Sequence, residues 1–478
     1  MINVDLEHHI LAHCGFEPTQ GQREAVAVIA RFLTRGAGDS VGLLCGYAGT
    51  GKTSLLAALV RTLMAFGQKV VLMAPTGRAA KVLSLYKGQP AYTIHKRIYR
   101  QKTFTGDMDN FLQNVNLATH TLFIVDEASM ISGSVLAGSA FGTGCLLDDL
   151  VQFVYSGQGC RLLLVGDPAQ LPPVGEELSP ALMPQALQAY GLEVYRHELT
   201  EVVRQRLESG VLYNAIHLRQ VMASPGPWGL PVIRLKGFAD VRVVPGDELI
   251  ECLEESFSHC GTDQTIVVTR SNKRANIYNN GIRGRILGRE EELSAGDRLL
   301  IAKNNYHWPA AAGIKDFDFL ANGDMAVVRR VRRVRDMHGF RFADVWLSFP
   351  DYDGVELQAT VLLDVLQSEA PALSRQDAQR LFASVEADYA DITSRRERLK
   401  RVKADPYFNA LQVKFAYAVT CHKAQGGQWQ RVFLDQGYVT DEMMDADYFR
   451  WLYTAFTRAT EQLYLVNWPR AQTDMPRT

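Results

Sequence analysis

Gly46-Tyr47-Ala48-Gly49-Thr50-Gly51-Lys52-Thr53 matches the G-x-x-x-x-G-K-[ST] phosphate-binding loop at every specified position. An apolar run precedes this loop, and apolar residues at helical spacing follow it, which predicts a strand, a glycine-rich turn and a helix. The turn and the helix N-terminus favour a polyphosphate, Lys52 can reach its β- and γ-phosphates, and Thr53 can ligate Mg²⁺. The loop therefore predicts a nucleoside triphosphate with magnesium, and the alternative is an ordinary glycine-rich turn.

Length and composition limit the class of protein. A chain of 478 residues exceeds one ordinary core, so we expect two large units with smaller insertions. The formal net charge of −1 argues against a broadly basic surface, so any nucleic-acid site must be a local groove. No apolar run approaches the roughly 18 residues of a membrane span, and the N-terminus lacks a signal-peptide pattern. Seven scattered cysteines without a C-x-x-C pair favour reduced thiols, and we expect a cytoplasmic protein without a membrane partner.

Two neighbouring carboxylates, Asp126 and Glu127, directly follow the apolar run 121–125. Asp126 can hold Mg²⁺ through water, while Glu127 can orient and deprotonate the water that attacks the γ-phosphate. A lone Asp-Glu pair is commonly surface charge. Because this pair follows an apolar strand and a phosphate loop in the chain, it predicts the residues that bind Mg²⁺ and activate the attacking water. Another apolar run, 161–165, leads to Gln170, whose side chain can sense whether a γ-phosphate is present.

Other polar residues lie at predicted turns. Gln22 opens a helix, and its carboxamide has the donor and acceptor needed to read the two polar edges of adenine, although plain helix surface is the alternative. Pro75 and Thr76 follow a strand at the predicted carboxyl edge of a parallel sheet, where ligands bind. Residues 101–110 are rich in turn formers and predict a small inserted β-hairpin. A second α/β unit, without a second phosphate loop, is predicted from about residue 264, and short strands between its parts suggest a small β-barrel.

This ordered set of motifs resembles superfamily-1 DNA helicases, and within them the 5′-to-3′ group of RecD-like, Dda-like and Pif-like enzymes. The resemblance runs from Gln22 to about Val466, nearly the whole chain. Motifs Ib and IV would be weak alone, whereas motifs I, II, III, V and VI are individually strong. In chain order the matches are Gln22 (Q motif), 46–53 (motif I), 74–81 (Ia), 93–95 (Ib), 126–129 (II), 166–173 (III), 199–205 (IV), 419–426 (V) and 452–459 (VI).

The resemblance implies an α/β fold with two RecA-like P-loop NTPase domains. It also implies a hairpin insertion in the first domain and a β-barrel-like, SH3-like insertion in the second. The expected boundaries are 1–86 and 118–205 for the first RecA-like domain, 87–117 for the inserted pin, 206–240 for a linker, 241–297 and 411–470 for the second RecA-like domain, and 298–410 for the barrel with a helical segment, 374–403.

The resemblance places ATP and Mg²⁺ in the cleft between the two domains. Arginines suit the charge that develops during phosphoryl transfer, because a planar cation stabilises it without reorganisation. The implied catalytic residues are Lys52, Glu127, Gln170, Arg204 and Arg458. The implied nucleotide-binding residues are Gln22, Gly46, Ala48, Gly49, Thr50, Gly51, Lys52, Thr53, Gln170 and Gly426, with Thr53 and Asp126 at the metal.

Single-stranded DNA is expected to cross both domains through contacts to phosphates and base faces, with weak sequence preference and strong salt dependence. Phe104 lies in the inserted hairpin, where relatives carry a strand-separating pin, and an exposed loop aromatic is the alternative. The implied strand-contacting residues are Pro75, Thr76, Thr93, His95, Phe104, Thr269, His422 and Lys423.

The resemblance implies an ATP-dependent helicase that moves 5′ to 3′ in DNA repair, recombination or replication. The expected partners are single-stranded DNA, duplex DNA forks and a single-strand-binding or repair-complex protein, and we expect a monomer. One alternative is a DNA-stimulated ATPase subunit of a repair or recombination complex that unwinds nothing alone. Another is a P-loop ATPase or kinase unrelated to nucleic acid, and RNA in place of DNA is a lesser variant.

Overall fold

The described part of the chain covers most of its length. Two expected site residues, Phe104 and Arg204, lie outside it. Within it, no helix combines the length and apolar character needed to cross a membrane. The computed structural model describes residues 2–36, 38–87, 89–101, 111–135, 142–203, 208–224, 226, 228–314, 317 and 319–475.

The first part of the chain alternates helices and strands. In chain order its elements are α1 (Ile2–Ala12), α2 (Gln20–Arg35), β1 (Ser40–Gly46), α3 (Lys52–Ala65), β2 (Lys69–Ala74), α4 (Gly77–Lys87), β3 (Ala91–Thr93), α5 (Ile94–Ile98), β4 (Tyr99–Gln101), β5 (Phe111–Gln113), β6 (Thr121–Val125), α6 (Leu146–Ser156), β7 (Arg161–Gly166), α7 (Pro184–Gln188) and β8 (Glu193–Leu199). Six of these strands form one parallel sheet in the order β3-β2-β6-β7-β1-β8.

The centre of this sheet positions the nucleotide motifs. Every residue of β1 and β6 is buried, as expected for parallel strands covered on both faces. β1 and β6 both lie beside β7, because β7 pairs with each of them. The carboxyl ends of parallel strands meet at one edge of a sheet. The phosphate loop, the Asp126-Glu127 pair and the loop carrying Gln170 therefore converge at that edge.

The inserted hairpin is described at its base. β4 and β5 pair antiparallel, with Tyr99 opposite Gln113 and Gln101 opposite Phe111. The connection between them falls on residues 102–110, outside the described ranges. The expected strand-separating role of Phe104 therefore stays a prediction.

The next part of the chain leads into the second α/β unit. Its elements are α8 (Gly210–Ala223), β9 (Val241–Val244), α9 (Leu249–Cys260), β10 (Thr265–Thr269) and α10 (Asn272–Gly281). The expected linker, 206–240, is thus corrected, because it contains the 14-residue helix α8. Ser209 caps α8 by accepting a hydrogen bond from Leu212 N, and Ala215 and Leu218 are buried.

The insertion in the second unit is a closed five-stranded barrel. Its elements are β11 (Arg298–Ile301), α11 (His307–Ala312), β12 (Met325–Met337), β13 (Phe340–Phe349), β14 (Val355–Leu362), α12 (Arg375–Ala387), α13 (Arg395–Ala404) and β15 (Leu411–Phe415). β15 closes the barrel by pairing with β11 and β14, so the barrel extends past the expected boundary at residue 410. The reason is local: Leu411, Val413 and Phe415 alternate with less buried residues and face the barrel interior.

The chain then returns to the second sheet. The remaining elements are β16 (Ala418–Thr420), α14 (Cys421–Ala424), β17 (Trp429–Asp435), α15 (Ala446–Phe456) and β18 (Ala459–Val466). They complete a parallel sheet in the order β16-β10-β17-β18-β9. Two parallel α/β domains, with a hairpin in the first and a barrel in the second, confirm the expected fold class.

Candidate nucleotide and nucleic-acid site

The phosphate loop has the backbone that its glycines predict. Gly49 and Gly51 have φ angles of +78° and +80°, a backbone conformation that residues with a side chain rarely adopt. A Cβ on Gly51 would lie 2.5 Å from Gln22 Nε2, so the position has no room for a side chain. α3 begins at Lys52 without a side-chain cap. Its first backbone N–H groups are therefore suited to an anion at the helix N-terminus.

Lys52 lies at the mouth of this loop, with its side chain 16% exposed. Its ammonium donates to the carbonyl oxygens of Gly46 and Tyr47, the second at 3.0 Å, and lies 3.8 Å from Asp167 Oδ2. These partners hold the cation where a polyphosphate would approach. Thr53 follows in the first turn of α3, next to Lys52.

Gln22 lies inside the protein, behind the phosphate loop. Its side chain is fully buried, with Nε2 donating to Thr50 O at 2.9 Å and Oε1 accepting from Thr19 N at 3.0 Å. The carboxamide therefore supports the phosphate loop and caps α2 from inside the protein, and adenine recognition by Gln22 stays a prediction. Thr50 is also fully buried, and its hydroxyl donates to Tyr47 O at 2.8 Å.

The acidic pair follows β6 as expected. Glu127 has a φ of +55°, and its backbone N–H donates to Asp126 Oδ1 at 2.9 Å. Burial raises the pKa of Glu127, and the negative charge of Asp126 raises it further, while Arg458 and Lys52 act in the opposite direction. A carboxyl with a raised pKa beside two cations is suited to taking a proton from water.

Gln170 is buried in the neighbouring loop, at 6% exposure. Its Oε1 atom has no hydrogen-bond partner among the described residues. An unpartnered buried acceptor is costly, so a ligand or water that donates to it would stabilise the loop. A water in the cleft can donate to this oxygen, whereas a phosphate oxygen cannot, and the expected role of Gln170 as a γ-phosphate sensor stays a prediction.

Arg458 comes from the second domain, two residues after the end of α15, and is 3% exposed. Its guanidinium donates to Thr454 O at 2.9 Å, Gly427 O at 3.1 Å and Thr457 Oγ1 at 3.0 Å. These bonds fix its position, and its charge lowers the pKa of Glu127 in the first domain. The structure therefore brings Arg458 to the expected cleft, while Arg204 lies outside the described residues.

The residues present fit ATP and Mg²⁺. The phosphate loop offers the polyphosphate an uncapped helix N-terminus and the Lys52 cation, and the unpartnered Gln170 Oε1 suits a donor such as water. Thr53 and Asp126 supply the hydroxyl and carboxylate oxygens that Mg²⁺ prefers, and they would hold it. A bound magnesium ion would neutralise charge on the phosphates during transfer.

Gly426 packs against the first domain. It has a φ of +70°, and a Cβ there would lie 3.0 Å from Ala79 Cβ and 3.1 Å from Thr76 Oγ1. The glycine thus lets motif V approach the motif Ia turn of the other domain. The expected contact of Gly426 with the nucleotide stays a prediction.

The expected strand-contacting residues divide into two groups. Thr76 from the first domain and His422 and Lys423 from the second line one cavity of about 120 Å³, together with residues of the barrel. Burial lowers the pKa of Lys423 to about 8 and also lowers that of His422. Pro75 is half-buried at the end of β2, beside Thr76. These residues therefore converge between the two domains.

The second group contains two buried threonines, Thr93 and Thr269, and the partly buried His95. The Thr93 hydroxyl accepts from Lys96 N at 3.2 Å and caps α5, while the fully buried Thr269 donates to Ser271 O at 3.0 Å. These bonds give both threonines a structural role, and their contact with a strand stays a prediction. His95 lies beside the rings of Tyr99 and Phe319, and burial lowers its pKa to about 4. At neutral pH it can offer a hydrogen bond or a ring face to DNA, but not a charge.

Sequence reasoning missed Arg78 and Trp429, which line the same cavity. The guanidinium of Arg78 lies 4.1 Å from the centre of the Trp429 ring, and its Nη2 donates to Gln428 O at 2.9 Å. The signal for Arg78 was its place in motif Ia. Trp429 follows the motif V glycines, but no local pattern pairs it with Arg78.

The comparisons with known proteins agree with this geometry. Residues 17–221 match the AAA domain family, and residues 415–466 match the UvrD-like helicase C-terminal domain family. The chain is 23% identical over 444 residues to the ATP-dependent RecD2 DNA helicase of Deinococcus radiodurans, covering 91% of this chain and 48% of that protein. It is 24% identical over 302 residues to the ATP-dependent DNA helicase dda of Enterobacteria phage T4, covering 59% of this chain and 60% of that protein.

Among solved structures, a Pif1 helicase from Bacteroides in complex with ADP-AlF3 and single-stranded DNA is 13% identical, with a TM-score of 0.46. That comparison covers 97% of this chain and 95% of the other. The chain spans about half the length of the RecD2 relative, 48% of it.

Proposed function

We propose that this chain, which belongs to the RecD-, Dda- and Pif-like group of superfamily 1B, is an ATP-dependent DNA helicase that translocates 5′ to 3′ on single-stranded DNA and unwinds duplex DNA. One observation carries the proposal: the two domains share both sites. Arg458 of the second domain acts on Glu127 of the first. Thr76 of the first domain lines one cavity with His422 and Lys423 of the second. We infer that a change in the separation of the domains at the nucleotide cleft also changes the spacing between Thr76 and the two motif V residues.

The residues of the cleft perform distinct tasks in this proposal. Lys52 binds the phosphates, and Glu127 orients water and accepts its proton. Arg458, supplied by the other domain, stabilises the charge that develops on the transferring phosphoryl group. Because Arg458 acts only when the domains are close, hydrolysis is coupled to domain closure, and closure becomes a step along the strand.

The proposal extends to partners and location. Single-stranded DNA and the duplex of a fork are the proposed nucleic-acid partners, and a single-strand-binding or repair-complex protein would join them in repair, recombination or replication. The protein acts as a monomer in the cytoplasm. All seven cysteines are free, and six of them are buried, which suits a reducing compartment.

The first prediction is that single-stranded DNA stimulates ATP hydrolysis. A strand held by both domains favours the closed cleft, so the ATPase rate should rise severalfold with single-stranded DNA and less with RNA. Lys52→Ala removes the phosphate-binding cation and should abolish hydrolysis in every condition. A rate that no nucleic acid changes would instead support a P-loop ATPase or kinase unrelated to nucleic acid.

A further inference from the structure

Tyr453 joins the second domain to the phosphate loop of the first. It lies on α15 and is 1% exposed. Its hydroxyl accepts a hydrogen bond from the backbone N–H of Ala48 at 2.8 Å and donates to Asp167 Oδ2 at 2.8 Å. Both partners belong to the first domain. The Tyr453 hydroxyl therefore donates one hydrogen bond to the first domain and accepts another from it.

Asp167 connects this tyrosine to the nucleotide-binding lysine. Its carboxylate is 1% exposed, and Oδ1 accepts from Ala169 N at 3.0 Å. Oδ2 accepts from the Tyr453 hydroxyl and lies 3.8 Å from Lys52 Nζ. One buried carboxylate oxygen therefore interacts with a cation of the first domain and a hydroxyl of the second.

Two further bonds hold the same loop to the second domain. Leu171 N donates to Thr454 Oγ1 at 2.8 Å, and Leu171 O accepts from Gln425 Nε2 at 2.7 Å. Gln170 lies in the chain between Asp167 and Leu171, which both bond to the second domain. Arg458 follows Tyr453 by five positions. The loop that carries the expected γ-phosphate sensor is thereby joined to the segments that carry Arg458 and the motif V residues.

We propose that Tyr453 is a positioning residue that couples occupancy of the phosphate loop to the position of α15, and through α15 to Arg458. When Lys52 turns toward a phosphate, its attraction to Asp167 weakens. The buried carboxylate then relies on the Tyr453 hydroxyl, because an unpaired buried charge is costly. The interdomain bond thus strengthens when nucleotide is bound. This inference rests on the proposed function and adds to it a residue that transmits the nucleotide state.

Tyr453→Phe tests the inference because it removes the hydroxyl and keeps the ring. Tyr448→Phe is a matched control: Tyr448 is buried on the same helix, but its hydroxyl donates to Gln436 Oε1 at 2.7 Å, within the second domain. Single-stranded DNA affinity is measured for each variant with ADP and with a non-hydrolysable ATP analogue. The ratio of the two dissociation constants measures coupling between the sites. kcat and KM for ATP are measured with saturating DNA.

For Tyr453→Phe we expect the coupling ratio to move about tenfold toward one, within the usual range for coupled sites, and kcat to fall with little change in KM. Tyr448→Phe should keep the wild-type ratio even if its melting temperature falls. If Tyr453→Phe does not fold, Asp167→Asn removes the charge that the hydroxyl stabilises, keeps the tyrosine in place, and should give the same loss of coupling.

The outcomes separate this inference from the proposed function. If DNA stimulates the wild-type ATPase and Tyr453→Phe keeps the wild-type coupling ratio, the inference is wrong and the proposed function stands. If Tyr448→Phe loses coupling as much as Tyr453→Phe, general loosening of α15 explains both, and the inference is also overturned. If DNA does not stimulate the wild-type chain, the proposed function fails and the inference fails with it.

Discussion

Arg458→Ala should abolish ATP turnover while leaving nucleotide binding largely intact. The guanidinium lies in the second domain, whereas in the proposed site the phosphate loop and Lys52 bind nucleotide from the first. Arg458 therefore contributes mainly when charge develops on the phosphoryl group. Removing an arginine in this role lowers kcat by about 10³-fold or more. Steady-state hydrolysis with saturating DNA, together with the affinity for a fluorescent ATP analogue, measures the two effects separately.

Arg431→Ala is the matched control. Arg431 lies on β17 in the same domain, and its Nη1 atom is 3.6 Å from Glu255 Oε1, away from the cleft. It should retain turnover close to wild type. Retained ATPase in Arg458→Ala would remove Arg458 from the site, and loss of nucleotide binding would show a structural role in place of a catalytic one.

Glu127→Gln should have the second largest effect. The amide cannot accept the proton of the attacking water, and loss of a general base lowers kcat by about 10²- to 10⁴-fold. Nucleotide binding should remain, because the phosphates are held by the loop and by Lys52. Glu176→Gln is the control: Glu176 Oε1 accepts from the Ser132 hydroxyl at 2.6 Å and from Gly133 N at 3.0 Å, at a loop of the same domain.

The pH dependence gives this prediction a second measurement. Burial and the charge of Asp126 raise the pKa of Glu127, so the ionised base is lost at a higher pH than for an exposed glutamate. The wild-type kcat should therefore fall as the pH is lowered through this raised pKa. The residual rate of Glu127→Gln should lack that decrease. If the decrease persists in the variant, another group titrates and Glu127 is not the base.

The sequence predicted well where those motifs that are continuous in the chain lie in the fold. The phosphate loop and the Asp126-Glu127 pair each follow a buried strand, so a local pattern defines both the element and the direction of the side chains. Parallel pairing then brings the two motifs to one sheet edge. Arg458 could be placed only by resemblance, because its position depends on how two domains meet.

Interdomain contacts account for much of what sequence reasoning missed. Ala48 and Tyr453 are separated by 405 positions in the chain, and no local periodicity joins them. Gln22 shows a different limit, because its residue type permits adenine recognition but its buried hydrogen bonds use the carboxamide inside the protein. The same applies to Thr269, whose hydroxyl donates to a backbone carbonyl.

The assignments at 206–240 and at the barrel boundary went wrong for packing reasons. α8 has apolar residues spread around its circumference, so its sequence shows no clear helical periodicity. Its contacts with α15 stabilise it as a helix. β15 reads like a strand of the second sheet, yet it pairs with β11 and closes the barrel. A short apolar run such as β15 fits either sheet, and which sheet it joins depends on the strands that it pairs with.

The most direct test of the central claim compares two duplexes that differ only in carrying a 5′ or a 3′ single-stranded tail, with ATP hydrolysis followed in the same reactions. A 5′-to-3′ helicase should open the 5′-tailed duplex, leave the 3′-tailed duplex closed, and hydrolyse ATP in the presence of either tail. Opening of only the 3′-tailed duplex would contradict the direction, and DNA-stimulated hydrolysis without opening of either would contradict helicase action and favour a translocating subunit of a larger complex.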